Sequence, residues 1–233
     1  NRKYNHLINI LGADHTGYIK RITAAVSALS ENKTTLNCKV CQLVKLFKNG
    51  EPFKMSKRAG DFISAQDLLK EVNKDPIRFM MLNRSNDVEL DFDFDKVKEK
   101  TKENPVFYVQ YAYARINSLL RTLNTNFIKK VDLDENNFNP NDVEKKIIRK
   151  VFEWPKIIES ASRKFDLHKI PYFLYDLSTL FHAYWSKGND DQNYKFIENK
   201  RIKRKEIIAV VNLVAVVIQN GMGILGVSLP DKM

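Results

Sequence analysis

Cysteine is nearly absent from this chain of 233 residues. Two cysteines cannot build the disulfide framework of a small secreted domain, and they point to a reducing compartment. Glycine and proline are sparse as well, with 8 and 7 copies, which excludes collagen-like and linker-dominated chains. No N-terminal segment has the basic, apolar and small-residue order of a signal peptide. The longest apolar run, 207–218, includes Asn212 and falls short of the ~20 residues that span a bilayer. It predicts a buried helix, and the chain as a whole a cytoplasmic protein without membrane contact. Histidine is limited to 4 scattered copies, which support no Ser-His-Asp arrangement.

What is present suffices for folding. A hydrophobic content of 43%, with 11% aromatics, supports a packed core and excludes wholesale disorder. At ~150 residues per domain, the length suggests one large domain or two modest ones. Lysine and arginine number 39 against 28 acidic residues, giving a formal charge of +11 and a pI near 9.5. That balance admits an anionic partner, nucleic acid first. A coding bias toward Lys, Asn and Ile is the plainer source of the same excess.

Residues 1–58 have α/β character. The apolar run 7–11 stops at Gly12 and predicts a buried strand. A helical pattern carrying Ile22, Ala25, Val26 and Leu29 follows. Residues 40–47 are β-rich and precede Asn49-Gly50, a hairpin-turn signal. Strand, loop, helix and strand in that order suit part of a nucleotide-binding α/β layer.

Residues 59–103 differ. Ser64 and Asp67 form a capping pattern ahead of Leu68, Leu69 and Val72, and Asp75-Pro76 reads as a break before a helical pattern over 77–82. Leu90, Phe92 and Phe94 alternate with Asp91, Asp93 and Asp95, the pattern of a short half-exposed strand.

From Asn104 onward the chain reads as helical. Asn104 suits an N-cap and Pro105 the first helical position. Val109, Ala112, Tyr113, Ile116, Leu119 and Leu120 then share one face. A polar loop over 132–142, helices over 143–154, 157–165 and 171–185, a polar loop over 186–192 and a last helix ending at 218 complete the expectation. The predicted architecture is mostly α. A partial Rossmann-like α/β layer (1–58) and a connecting segment (59–103) lead to an all-α helical bundle (104–233).

Three strings carry chemistry. Lys54 and Lys57 stand three apart on a loop with Gly60 behind. Ammonium groups so placed can close around a polyphosphate and offset the charge that builds on a leaving pyrophosphate. A solvated basic loop is the plain alternative. Gly12, Asp14 and His15 follow a strand end, where an α/β sheet offers a tight backbone and a carboxylate to a ribose; His15 reads equally as a hydrogen-bonded loop residue. In residues 104–115, aromatics on a capped amphipathic helix read first as core.

Other features are set aside. Cys38 and Cys41 have CxxC spacing, yet no second pair or nearby His completes a zinc site, and on a strand they point to opposite faces. Asp91, Asp93 and Asp95 imitate a calcium loop, but Lys96 and Lys102 stand where Gly and Glu are required. The basic run 200–205 reads either as an RNA-phosphate contact or as a solvated helix face.

Lys54-Met55-Ser56-Lys57, behind a strand and a hairpin turn, resembles the KMSK loop of class I aminoacyl-tRNA synthetases. The longer string 50–62 resembles its arginyl form, with Arg58 in place of the usual Ser. Gly12-Ala13-Asp14-His15 resembles the motif after the fourth strand of the catalytic domain. Residues 104–115 resemble the opening of the α-helical anticodon-binding domain, and 220–233 its closing segment. The chain is thus similar to the C-terminal portion of arginyl-tRNA synthetases.

The resemblance implies ATP as a substrate with Mg2+ accompanying it, no tightly bound metal, and arginine and its tRNA as further partners. It implies that Lys54 and Lys57 neutralise departing pyrophosphate and that Gly12, Asp14, His15, Met55 and Ser56 hold ATP, with Asp14 at the ribose. It assigns anticodon contacts to Tyr108, Ala112, Trp185 and Met233, where flipped bases stack on aromatic and apolar side chains. For Trp185, core packing is a nearly equal reading. The His-x-Gly-His-like signature of class I enzymes does not occur in this sequence, and the arginine pocket is expected upstream of Asn1. Two functions stay open: an arginine–tRNA ligase portion active only within a longer chain, and a non-catalytic tRNA-binding module.

Overall fold

In the computed structural model, residues 4–53, 63–123 and 138–233 are described. They form two compact units, Asn1–Phe62 with Arg84–Phe94, and Ile63–Asn83 with Asp95–Met233. The segment 59–103, expected as one connector, is thereby shared between both units.

The first unit opens with strand β1 (His6–Gly12), a 3-10 turn (Ala13–Tyr18), helix α1 (Ile19–Leu29) and strand β2 (Thr35–Cys41), which pairs parallel to β1 in register His6 to Thr35. A parallel pair needs such a crossover. The predicted burial of β1 is not met: Ile8 and Ile10 are 54% and 70% exposed, while Leu7, Asn9 and Leu11 are only half-buried. Helix α1 packs on β2, and among the described residues nothing covers the strand face that carries Ile8 and Ile10. Cys38 and Cys41 lie on β2, three apart and so on opposite faces.

Strands β3 (Val44–Lys48), β4 (Glu51–Pro52) and β5 (Leu90–Asp93) form a second sheet in the order β4-β3-β5. Asn49 and Gly50 both adopt positive φ, 54° and 75°, the two-residue turn that suits the twist of a hairpin. Pro52, which lacks a ladder donor, is confined to the edge strand. Leu90, Phe92 and Phe94 are buried while Asp91 faces solvent, as the alternation predicts, and the two Phe rings meet edge to face. Asn86, in the loop before β5, is bonded to the end of β2: its carbonyl accepts from the Gln42 N–H at 2.9 Å and its side-chain amide donates to the Val40 carbonyl at 2.8 Å.

The second unit is helical. Helix α2 (Ala65–Glu71) carries the expected capping box, with Ser64 Oγ accepting from the Asp67 N–H and the Asp67 carboxylate accepting from the Ser64 N–H. Helix α3 (Lys74–Leu82) begins before Pro76, so the break falls at Val72 and Asn73. Pro76 stands in the first turn, where its missing N–H removes no intrahelical bond. Helix α4 (Pro105–Thr122) starts after Asn104 as predicted, but the Asn104 side chain does not cap it. Its Nδ2 instead donates to the carbonyls of Val97 and Glu99, fixing the approach to the helix.

Helices α5 (Asp142–Phe152), α6 (Trp154–Lys164), α7 (Lys169–Asp190) and α8 (Lys205–Leu225) complete the bundle. Sequence patterning places the end of α7 five residues early and that of α8 seven residues early. Between α7 and α8 a hairpin of β6 (Ile197–Glu198) and β7 (Arg201–Ile202) turns on Asn199 and Lys200, both at positive φ. The basic run 200–205 is therefore a hairpin turn, a strand and the entry to α8, not a helix face.

The core lies where α4, α5, α7 and α8 meet, around Ile116, Ile147, Leu177 and Val214. Helix α8 is long and apolar enough to cross a membrane by length and composition, but 67% of its apolar window is buried inside this bundle. After α8 the chain returns along α4: Gln110 donates to the Ser228 carbonyl, Asn117 to the Asp231 carboxylate and Arg121 to the Asp231 carbonyl. Arg78 of α3 donates to the last carbonyl of α8, Leu225, at 2.7 Å.

One polar network stands inside this core. Glu144 is fully buried and accepts from Tyr184 Oη at 2.6 Å, from Arg204 Nη2 at 2.8 Å and from the Asn141 N–H at 2.7 Å. It joins α5, α7 and the start of α8. Glu144→Ala removes the acceptor of the buried Tyr184 hydroxyl and the ion-pair partner of Arg204, which keeps the Asn139 carbonyl and Glu206, and should cost about 3–5 kcal/mol in urea unfolding. Glu159→Ala removes only an exposed pair with Arg163 and should cost less than ~1 kcal/mol. Equal losses in the two variants would contradict this assignment.

Candidate nucleotide and nucleic-acid sites

In the first unit, Gly12 closes β1 and Asp14 and His15 stand on the 3-10 turn behind it. A Cβ built on Gly12 would lie 2.6 Å from Asp14 Oδ1, so the glycine leaves room for the carboxylate in the position it takes beside the strand end. Asp14 Oδ2 and His15 Nε2 are 3.5 Å apart, and both side chains are largely exposed. Thr16 Oγ1 holds the turn by donating to the Ala13 carbonyl. The result is an open carboxylate–imidazole pair at the C-terminal end of a parallel strand, the end at which α/β sheets bind ligands. Lys54, Met55, Ser56 and Lys57 lie outside the described residues; the Asn49-Gly50 hairpin that precedes them is well formed.

In the second unit, α4 and α7 pack together and bring aromatic side chains from both into one cluster. Phe107 and Tyr111, one turn apart on α4, stack with ring centroids 5.7 Å apart. Tyr108, half-buried, packs on His182 at 4.4 Å and on Tyr175 at 5.2 Å. The Arg115 guanidinium carbon lies 4.4 Å from the Tyr111 ring centre and 5.4 Å from that of Trp185. Both distances are within cation–π range. Arg115 Nη2 donates to Tyr111 Oη at 3.0 Å, and Nη1 lies 3.3 Å from His182 Nδ1.

Trp185 is half-buried, packed on one side and open on another. One side packs on Phe181 and Phe196, and the ring also lines a concavity of about 190 Å³ with Leu119, Gly188, Asn189, Lys195 and Phe196. Gly188 makes this shape possible: a Cβ there would meet the Tyr194 carbonyl oxygen at 2.8 Å, so glycine lets the chain lie directly on α7 and bring Lys195 and Phe196 beside Trp185.

Of the other two expected contact residues, one is buried and one is exposed at the end of the chain. Ala112 is 0% exposed, inside the interhelical core, and offers no surface to a ligand. The spacing that put it one turn from Tyr108 also put it on the buried stripe with Val109 and Ile116. Met233 is 53% exposed, but the tail before it is fixed to Gln110, Asn117 and Arg121. Those residues form a stripe of α4 separate from that of Tyr108, Tyr111 and Arg115. Tyr111, Arg115 and His182 were missed by sequence reasoning, although ring, ring and guanidinium at 107, 111 and 115 recur every helical turn.

The sequence pattern of a family described as the DALR anticodon binding domain matches residues 109–233, more than half of the chain. The helical unit is therefore of the anticodon-binding class, and the chain belongs to the DALR anticodon-binding family. Over its whole length it is 55% identical to an arginine–tRNA ligase of Pelagibacter ubique and 47% identical to one of Roseobacter denitrificans. It covers 40% and 41% of those proteins, so it spans well under half the length of the curated relatives it matches. A crystal structure of a protein from Campylobacter jejuni, described as an arginyl-tRNA synthetase, matches the whole chain at 29% identity with a TM-score of 0.84, the chain covering 49% of it. The arginyl-tRNA synthetase of Thermus thermophilus shares the fold at 18% identity and a TM-score of 0.71, over 99% of this chain and 42% of that one. The mostly helical architecture and the resemblance to part of arginyl-tRNA synthetase both hold.

His182 is the histidine of the cluster, and burial pushes its pKa down to about 4, with the Arg115 charge acting in the same direction and the Tyr108 carbonyl opposing. Unfolded histidine titrates near ~6.5. Between these values the unfolded chain binds more protons than the folded one, so stability rises with pH there. This contribution is complete above pH ~6.5 and declines as the pH falls toward 4. Thermal unfolding from pH 7 to pH 4 should show this loss, and His182→Phe should flatten it; a loss of equal size in the variant would assign it to other groups.

Proposed function

We propose that this chain is the anticodon-reading part, together with the pyrophosphate side of the adenylation site, of an arginine–tRNA ligase. The observation that carries the reading is the match of its whole length to arginine–tRNA ligases, joined to a DALR unit whose α4–α7 seam gathers rings around a guanidinium. In this reading the arginine carboxylate attacks the α-phosphorus of ATP, and the bond to pyrophosphate breaks. The terminal ribose hydroxyl of tRNA then attacks the adenylate carbonyl and releases AMP. Asp14 holds the ribose behind Gly12, with His15 beside it. Lys54 and Lys57 offset the charge on the departing pyrophosphate, with Met55 and Ser56 between them. Mg2+ arrives with the nucleotide.

Anticodon bases lodge against Tyr108 and Trp185, with Tyr111 and Arg115 completing the surface. Ala112 supports it from within the core rather than by contact. Each stacked base is worth ~1–3 kcal/mol.

A stem–loop RNA carrying an arginine anticodon should bind the chain, with affinity that falls steeply as salt rises. Tyr108→Ala and Trp185→Ala should each weaken it, and an RNA with an unrelated anticodon should bind more weakly. Equal affinity for both RNAs would contradict specific reading.

The second function, a non-catalytic tRNA-binding module, is favoured by the closed core of the helical unit, which calls on no catalytic layer. ATP–pyrophosphate exchange separates the two. The chain alone should show none, while in the full-length ligase Lys54→Ala and Lys57→Ala should lower exchange by orders of magnitude and leave tRNA affinity nearly unchanged. Lost tRNA affinity with normal exchange would overturn the role given to the lysines.

A further inference from the structure

His182 bridges α4 and α7 with both ring nitrogens engaged. Arg115 Nη1 can only donate, so Nδ1, at 3.3 Å, is the acceptor; the proton is then on Nε2, which donates to the Tyr108 carbonyl at 3.1 Å. The ring thus spans two turns of α4, from Tyr108 to Arg115. It is 6% exposed and packed against Tyr108, Tyr111 and Phe181, so it cannot itself reach a ligand.

Arg115 differs. It is half-buried, and of the five N–H donors of a guanidinium two are engaged, by His182 Nδ1 and Tyr111 Oη. The other three have no partner among the described residues. The plane of the group is fixed at two points between the Tyr111 and Trp185 rings.

We propose that His182 is a positioning residue of the RNA-reading surface. It acts through Arg115, whose guanidinium it holds between Tyr111 and Trp185 with donors left for the edge of an unstacked nucleobase. This rests on the anticodon-reading function proposed above and adds to it the group that supplies hydrogen-bond discrimination, which stacking alone does not. Burial keeps His182 unprotonated near neutral pH, preserving the acceptor at Nδ1.

The test uses the 233-residue chain, a stem–loop RNA with an arginine anticodon and a second stem–loop with an unrelated loop sequence. His182→Phe keeps the ring and removes the acceptor. It should weaken the first RNA about ten-fold, the worth of one hydrogen bond to a charged group, and leave the second nearly unchanged. His182→Asn, which restores an acceptor, should recover most of the loss. In an Arg115→Ala background His182→Phe should have no further effect. Nitrogen-15 spectra should show the Arg115 guanidinium hindered in rotation in the wild-type chain and freed in His182→Phe, a signature that a purely structural histidine would not give.

Arg115→Lys keeps the charge without the planar fork and leaves the core untouched. It should bind as weakly as Arg115→Ala, and this arm stands even if His182→Phe fails to fold. Wild-type affinity in His182→Phe or Arg115→Lys, or an equal loss for both RNAs as expected of a phosphate contact, would overturn the positioning role. No binding of either RNA by the wild-type chain would instead overturn the anticodon-reading function, and the guanidinium spectra tell the two failures apart.

Discussion

The packing of α4 against α7 is the constraint on which the second unit depends. It buries Val109, Ala112 and Ile116 on one side of α4 and leaves Tyr108, Tyr111 and Arg115 at the margin of that contact. A ring at such a margin is held by the core on one face and keeps the other for a partner. His182 closes the seam by hydrogen bonding to α4 at two levels. Farther along α7, Tyr184 joins the buried Glu144 network, so the helix carrying Trp185 is fixed to α5 and to the entry of α8. Little freedom remains for the cluster to rearrange, and preorganisation reduces what binding must spend on ordering side chains.

The first unit follows different physics. Its strands present an open carboxylate at a strand end, and apolar side chains at Ile8 and Ile10 that nothing among the described residues covers. An α/β layer is ordinarily covered on both faces, so this strand pair carries apolar surface that its own unit does not bury. The helical unit, by contrast, has a closed core of its own.

Much of this was legible in residues. The Ser64–Asp67 box, Pro105 at the start of α4, the Asn49-Gly50 turn and the alternation at Leu90, Phe92 and Phe94 each have one dominant local cause, and each appears as read. Where two causes compete, reading failed. Gly188 and the polar residues 186–192 signal a loop, but the glycine serves a close approach of chain to helix and α7 runs on to Asp190. Asn199 and Lys200 turn a hairpin at positive φ without any glycine to announce it. Ala112 and Tyr108 share a helix side by spacing, yet a small shift around α4 separates core from margin. The role of His182 depends on two residues 74 and 67 positions away, and no local pattern carries that.

Hydrogen exchange of the chain with and without an arginine anticodon stem–loop measures the central claim most directly. The account predicts added protection on α4 around 107–115 and on α7 around 175–185. Protection confined to the basic hairpin 197–205, with the α4–α7 seam unchanged, would contradict it.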